Sequence, residues 1–120
     1  MDKQFINAHK DSKSEIVRFL TNVGSTEDVE VLLIEWDLAT IRLLESYFKS
    51  KGHTCKGVTN GVSGLYLLRN FLKPKVVLTS ISLPDMWGYE VCKRIKSDPD
   101  LKNIPVIFLR FIGLEISSSG

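Results

Sequence analysis

The sequence predicts an α/β fold with a doubly wound parallel sheet, and two observations carry that expectation. The apolar run Val31–Ile34 is continuous rather than alternating, as a strand covered on both faces requires, and Val76–Ile81 and Ile104–Leu109 are further strand candidates. Between them lie stretches whose apolar residues recur at helical spacing. Alternating strands and helices, joined by right-handed crossovers, give a parallel sheet with helices on both faces.

The first 28 residues form an extension to this pattern. They are polar apart from Phe5, Ile6 and an amphipathic run in which Ile16, Phe19, Leu20 and Val23 fall on one helical face. Ser12 and Glu15 have the spacing of a capping box, and Gly24 stands where a helix would stop. This stripe needs a surface to pack on, and the plainest reading is a linker helix from a larger architecture. Residues 29–120 make up the second unit, beginning with the first strand.

Asp37 opens the next helix, with Ile41, Leu44 and Phe48 as its buried stripe, Leu43 and Tyr47 widening it, and Gly52 as its C-terminal cap. His53 to Val58 is a short, partly polar strand candidate. Asn60-Gly61 starts a helix carrying Val62, Leu65, Leu68, Phe71 and Leu72, closed before Pro74. After strand three, the loop Pro84-Asp85-Met86-Trp87-Gly88 leads into a helix with Tyr89, Val91, Cys92 and Ile95, which ends at Ser97-Asp98-Pro99-Asp100.

With 120 residues, 43% of them hydrophobic and 25% charged, the chain fits one compact domain. A net charge of +2, with neither a basic run nor a basic stripe interleaved with aromatics, argues against nucleic acid. No long apolar run suggests a membrane or export segment, and Cys55 and Cys92 lie far apart, so a reducing cytoplasm is expected. His9 and His53 are isolated from each other and from both cysteines, so no metal-ligand spacing emerges. Neither cofactor nor metal is expected.

The segment Lys73 to Glu90 joins an apolar strand to a Leu83-Pro84-x-Met86-x-Gly88 loop and a helix. Together with the strand that ends in an acid at Glu35, the Asn60-Gly61 helix entry and the Ile104-Pro105 strand start, it resembles a response-regulator receiver domain over residues 29–112. The resemblance implies a flavodoxin-like sheet of order 2-1-3-4-5. It further implies an aspartate at the end of strand three that accepts a phosphoryl group, and an acidic pair after strand one that holds magnesium with it. A Thr or Ser at the end of strand four and a lysine after strand five complete the family's site.

At those positions the chain carries Ser80, then Glu35 and Trp36, then Arg110, and it ends before the fifth strand. The expected architecture is therefore a receiver shortened after strand four, lacking its last strand and helices and extended by an N-terminal helix. Magnesium needs clustered oxygen ligands, and one of three carboxylates is left. Asp37 reads as a helix cap rather than a replacement ligand. Trp36 can fill the emptied pocket or meet a partner. Arg110 is placed to pair with Glu35 or simply to face solvent.

The reading this favours is a non-enzymatic signalling module of the two-component or phosphorelay type that binds a protein partner. Contacts are expected at Asp85, Met86 and Trp87 and at Phe111, Ile112 and Leu114, because exposed aromatic and apolar residues are common interface hot spots. Strand four would be an exposed edge, with Val106 and Phe108 short of cover. A homodimer, the N-terminal helix or further chain could complete it. Two alternatives stay open: phosphotransfer on a relocated acceptor, Asp85 or Ser80, and a small-ligand site at the carboxyl ends of the strands. No nucleotide-binding glycine motif supports the latter; Gly57, Gly61 and Gly64 read as turn and packing residues.

Overall fold

The computed structural model describes residues 3–112 and 115–116, with side chains from Lys13 to Arg110. Its helices are α1 (Lys3–Asn22), α2 (Leu38–Ser50), α3 (Gly61–Asn70) and α4 (Gly88–Lys96). Its strands are β1 (Val31–Ile34), β2 (Cys55–Val58), β3 (Val76–Ser80), β4 (Val106–Leu109), β5 (Phe111–Ile112) and β6 (Glu115–Ile116). The first four strands form one parallel sheet of order β2-β1-β3-β4, and β5 and β6 form a separate antiparallel pair. This is the doubly wound α/β arrangement that the strand and helix alternation predicts.

Alternation along the strands divides the core in two. Leu32, Ile34, Val58 and Val77 face α1, α3 and α4, together with Leu65, Leu68, Val91 and Ile95. Val31, Leu33, Cys55 and Leu78 face α2 through Ile41, Leu44 and Phe48. Each fully buried aliphatic side chain contributes roughly 1.5–3 kcal/mol, so the β1 residues, shielded on both faces, anchor the sheet.

Several local expectations are corrected by packing. Leu43 and Tyr47 do not widen the buried stripe of α2 but stand exposed, and on α3 the apolar position is filled by Leu67 while Phe71 lies outside against Tyr66. Ser12 is no cap: α1 begins at Lys3, so Ser12 lies inside it. The helix ends at Asn22, two residues ahead of Gly24. Gly52 does cap α2, with a φ of +84° that a side chain would resist, and its N–H donates to Lys49 O at 3.0 Å.

The stripe of α1 packs on the sheet core, with Phe19 and Val23 buried and Ile16 and Leu20 partly so. Its neighbours are α3 and β2, so it covers the side of the sheet away from β4. At β4 the exposed residue is Ile107, 53% accessible on the α2 face, whereas Val106 and Phe108 are half-buried and the Phe108 ring meets Tyr89 edge-on at 5.0 Å. The bare face of β4 is thus the opposite one from that expected, because Tyr89 and the α4 side shelter Phe108.

Candidate functional site

Three strand ends converge on one cleft. Strand β1 delivers Glu35 and Trp36, β3 ends at Ser80, and Arg110 follows β4. Glu35, Trp36, Ser80 and Arg110 line a cleft of about 530 Å³ together with Asp37 and Ser82. All four positions singled out in the sequence are therefore brought together.

Their states differ sharply. Glu35 is buried, 3% accessible, and its Oε1 accepts the Asp37 N–H at 3.1 Å, so the carboxylate folds back onto its own loop. Asp37 caps α2, its Oδ2 accepting from Thr40 N at 3.3 Å and from Thr40 Oγ1 at 2.6 Å. Ser80 donates its hydroxyl to Ser82 O at 3.3 Å. Trp36 is 57% accessible and leaves the cleft open rather than filling it. Arg110 is exposed, and the pairing with Glu35 does not form: among the described residues no ion pair joins them.

The loop after Ser80 is fixed by close backbone approach. Gly88 N–H donates to Ile81 O at 2.7 Å, and a Cβ at Gly88 would collide with the Ser80 carbonyl oxygen. Leu83 N–H donates to Met86 O at 3.2 Å, closing the turn. Within it, Asp85 receives Gly61 N–H at 2.9 Å and Val62 N–H at 2.8 Å, and Met86 packs into the core beside Gly61. Asp85 and Met86 therefore stabilise the start of α3, while Trp87, 63% accessible, faces outward. Phe111 and Ile112 lie in β5; their side chains, and all of Leu114, fall outside the described residues.

One residue that local spacing does not reveal is Glu15. From α1 it accepts Thr59 N–H at 2.9 Å, the Thr59 hydroxyl at 2.6 Å and Asn60 Nδ2 at 3.1 Å. Asn60 in turn caps α3 by accepting Ser63 N–H at 2.8 Å. The partners are 44 and 45 residues apart, so no motif window contains them. Cys55 is buried and its thiol is pushed up to about 12, first by that burial and then by Glu45, which leaves it unreactive. His53 sits on the surface against Glu30 at 3.3 Å. Among the described residues, no cluster of three His, Cys, Asp or Glu side chains is placed to share a metal ion. Nor is any helix there long and apolar enough to cross a membrane.

The model of the response regulator receiver domain matches residues 31–111, and the chain belongs to that family. It is 32% identical over 77 residues to the polar-differentiation response regulator DivK of Brucella anthropi, covering 64% of this chain and 62% of DivK. It is 28% identical over 97 residues to the response regulator PleD of Caulobacter vibrioides, covering 74% of this chain and 21% of PleD. The chain thus spans about three-fifths of one relative and a fifth of the other.

Among solved structures, the signal receiver domain of a histidine kinase from Syntrophus aciditrophicus superposes with a TM-score of 0.64 at 28% identity, covering 69% of this chain and 62% of that one. The phosphorylated cyanobacterial phytochrome response regulator RcpA gives 0.60 at 34% identity, covering 65% and 61%. Helix α1 precedes the matched segment altogether.

Proposed function

We propose that this receiver-family chain is a non-enzymatic, cytoplasmic module of a two-component or phosphorelay pathway, acting by binding a protein partner and not by taking a phosphoryl group on strand three. The observation that carries this is the occupancy of the cleft: Ser80 at the end of β3, Trp36 beside Glu35, and a guanidinium at Arg110. A serine hydroxyl needs activation before it can attack phosphorus, and the hydrogen bond that the Ser80 hydroxyl makes goes to a backbone carbonyl, not to a base. The residues present do not fit magnesium either. Only two carboxylates, Glu35 and Asp37, line the cleft among the described residues, and no group of three is placed there to share a metal ion.

Relocation of the acceptor to Asp85 is disfavoured by the same accounting, since its two oxygens accept the first N–H groups of α3. The partner surface is the outward pair Trp36 and Trp87, large amphipathic rings of the kind that anchor interfaces. The outer side of β4 is the proposed contact with a second copy of the chain, an antiparallel β4–β4 pairing across a two-fold axis.

Intact-mass spectrometry after incubation with acetyl phosphate and magnesium tests the central claim. The mass is expected to stay unchanged while circular dichroism reports a folded chain. A magnesium-dependent phosphoryl adduct that survives Ser80→Ala and is lost in Asp85→Asn would establish the relocated-acceptor reading instead.

A further inference from the structure

The net charge of the chain is concentrated in one segment. Residues 87–110, from the start of α4 to the end of β4, hold five cations against three acids, and the rest of the chain has eleven of each, so the whole +2 lies here. Two of the three acids are paired, Glu90 with Arg94 at 2.9 Å and Asp98 with Arg69 at 3.9 Å, and Asp100 is exposed. Lys93, Lys96, Lys102 and Arg110 are exposed as well, and among the described residues none of these four forms an ion pair.

Helix α4 sets where the cations stand. Tyr89 meets the Phe108 ring edge-on at 5.0 Å, and Lys96 Nζ donates to the carbonyls of Lys102 and Ile104 at 3.0 and 2.7 Å, so positions 89 and 96 lie on the flank of α4 that faces β4. Lys93, four residues after Tyr89 and three before Lys96, stands on that flank, while Glu90 and Arg94 pair with each other farther around the helix. Strand β4 turns Val106 and Phe108 to this side, both half-buried, and Tyr89 is 59% accessible. One face of the sheet edge thus carries an aromatic and aliphatic strip rimmed by cations.

Such a strip offers burial to apolar side chains, and unpaired ammonium groups on its rim favour carboxylates beside them. We propose that the α4–β4 face docks an acidic amphipathic helix of a partner protein, its apolar stripe on Tyr89, Val106 and Phe108 and its carboxylates toward Lys93 and Lys96. The helical form follows because the aromatic contacts and the cations share one face of the sheet. A helix presents both kinds of side chain to that face, whereas an added strand would send alternate side chains to the other. The inference rests on the reading of this chain as a partner-binding module, and it names the chemistry of the partner.

Fluorescence anisotropy tests this with the whole chain and a labelled peptide of about 16 residues, Leu at helical spacing on a Glu and Ala background. The assay contains neither acetyl phosphate nor magnesium, so a negative result bears on this face and not on Ser80, which intact mass reads. Saturable binding is expected, weaker by about tenfold or more for a peptide with Lys in place of Glu and for one with Ser in place of Leu. Lys93→Glu and Tyr89→Ser are each expected to weaken it about tenfold. The exposed Lys93 keeps the test valid if loss of the Tyr89–Phe108 contact unfolds the chain. In proton–nitrogen spectra the amides of residues 89–96 and 106–108 are expected to shift, and those of β2 on the far edge to stay unmoved. No binding at millimolar peptide, equal binding of the Lys peptide, undiminished affinity in Lys93→Glu, or shifts confined to another face would each overturn the proposal. So would shifts of the same amides with protein concentration alone, which would assign the face to a second copy of the chain.

Discussion

At the β2 edge, the outward N–H groups of Gly57 and Thr59 donate to Glu45 and Glu15, each at 2.9 Å. At the β4 edge, alternation turns the backbone of Val106 and Phe108 outward, and no strand among the described residues pairs with that side. One edge is closed by side chains reaching from two different helices; the other presents free ladder positions beside an exposed Ile107. Carboxylates on two of its outward donors make the β2 edge a poorer template for an added strand than an edge left open. An added strand is therefore expected at β4 before β2, whose outer side forms a groove.

The largest effect is expected on removing the closure. Glu15→Ala combined with Glu45→Ala strands the Gly57 and Thr59 donors and loosens Asn60, costing about 3 kcal/mol, since bonds to charged groups contribute roughly 1.5–3 kcal/mol each. Urea denaturation measures this loss, and sedimentation then reports whether the freed edge recruits a second chain. If the double variant is as stable as the parent, side-chain closure of β2 is not structural.

Asp85→Ala leaves Gly61 and Val62 without their acceptor, and a loss of about 1–2 kcal/mol in the same denaturation experiment is expected for a lost helix cap. A change under half that size would mean that water caps α3 equally well.

Ile107→Lys sharpens the contrast from the other side. A charge on the bare face of β4 is expected to alter stability by less than about 0.5 kcal/mol, as for an exposed site, while shifting self-association toward monomer in sedimentation equilibrium. A parent protein that is already monomeric across the micromolar range would remove β4 as a self-pairing edge.

The smallest effect concerns Glu30, which ties β1 to Thr54, Lys75 and His53. Its carboxyl is held below the usual range first by the Thr54 N–H and then by Lys75 and His53. A depressed carboxyl contributes stability above its unfolded pKa and loses it as pH falls through the folded value. Glu30→Gln is therefore expected to lower the melting temperature slightly at neutral pH, with the difference from the parent vanishing in acid below the ordinary glutamate range. A difference that grows in acid would contradict this.

Much of the chain was legible locally. A continuous apolar run located β1 because burial on both faces leaves no polar position, and Asp37, Asn60 and Gly52 declared the helix ends through cap chemistry. The four strand-end positions were legible through the motif order, and the structure gathers them in one cleft. Leu43, Tyr47 and Phe71 misled because helical periodicity gives a face without saying how much of it finds a neighbour.

By itself the sequence determined the order of the four sheet strands and their helices, the chemical identity of each strand-end residue and the caps at Asp37, Asn60 and Gly52, all of which depend on residues within a few positions. Tertiary structure alone decided that Glu15 reaches Thr59, that Glu45 reaches Gly57, that Asp85 belongs to α3 and that Glu35 bonds the Asp37 N–H without pairing with Arg110. Those bonds join groups distant in sequence, or choose among partners of equal chemical merit. Only the packing of helices on the sheet sets which donor lies within 3 Å of which acceptor.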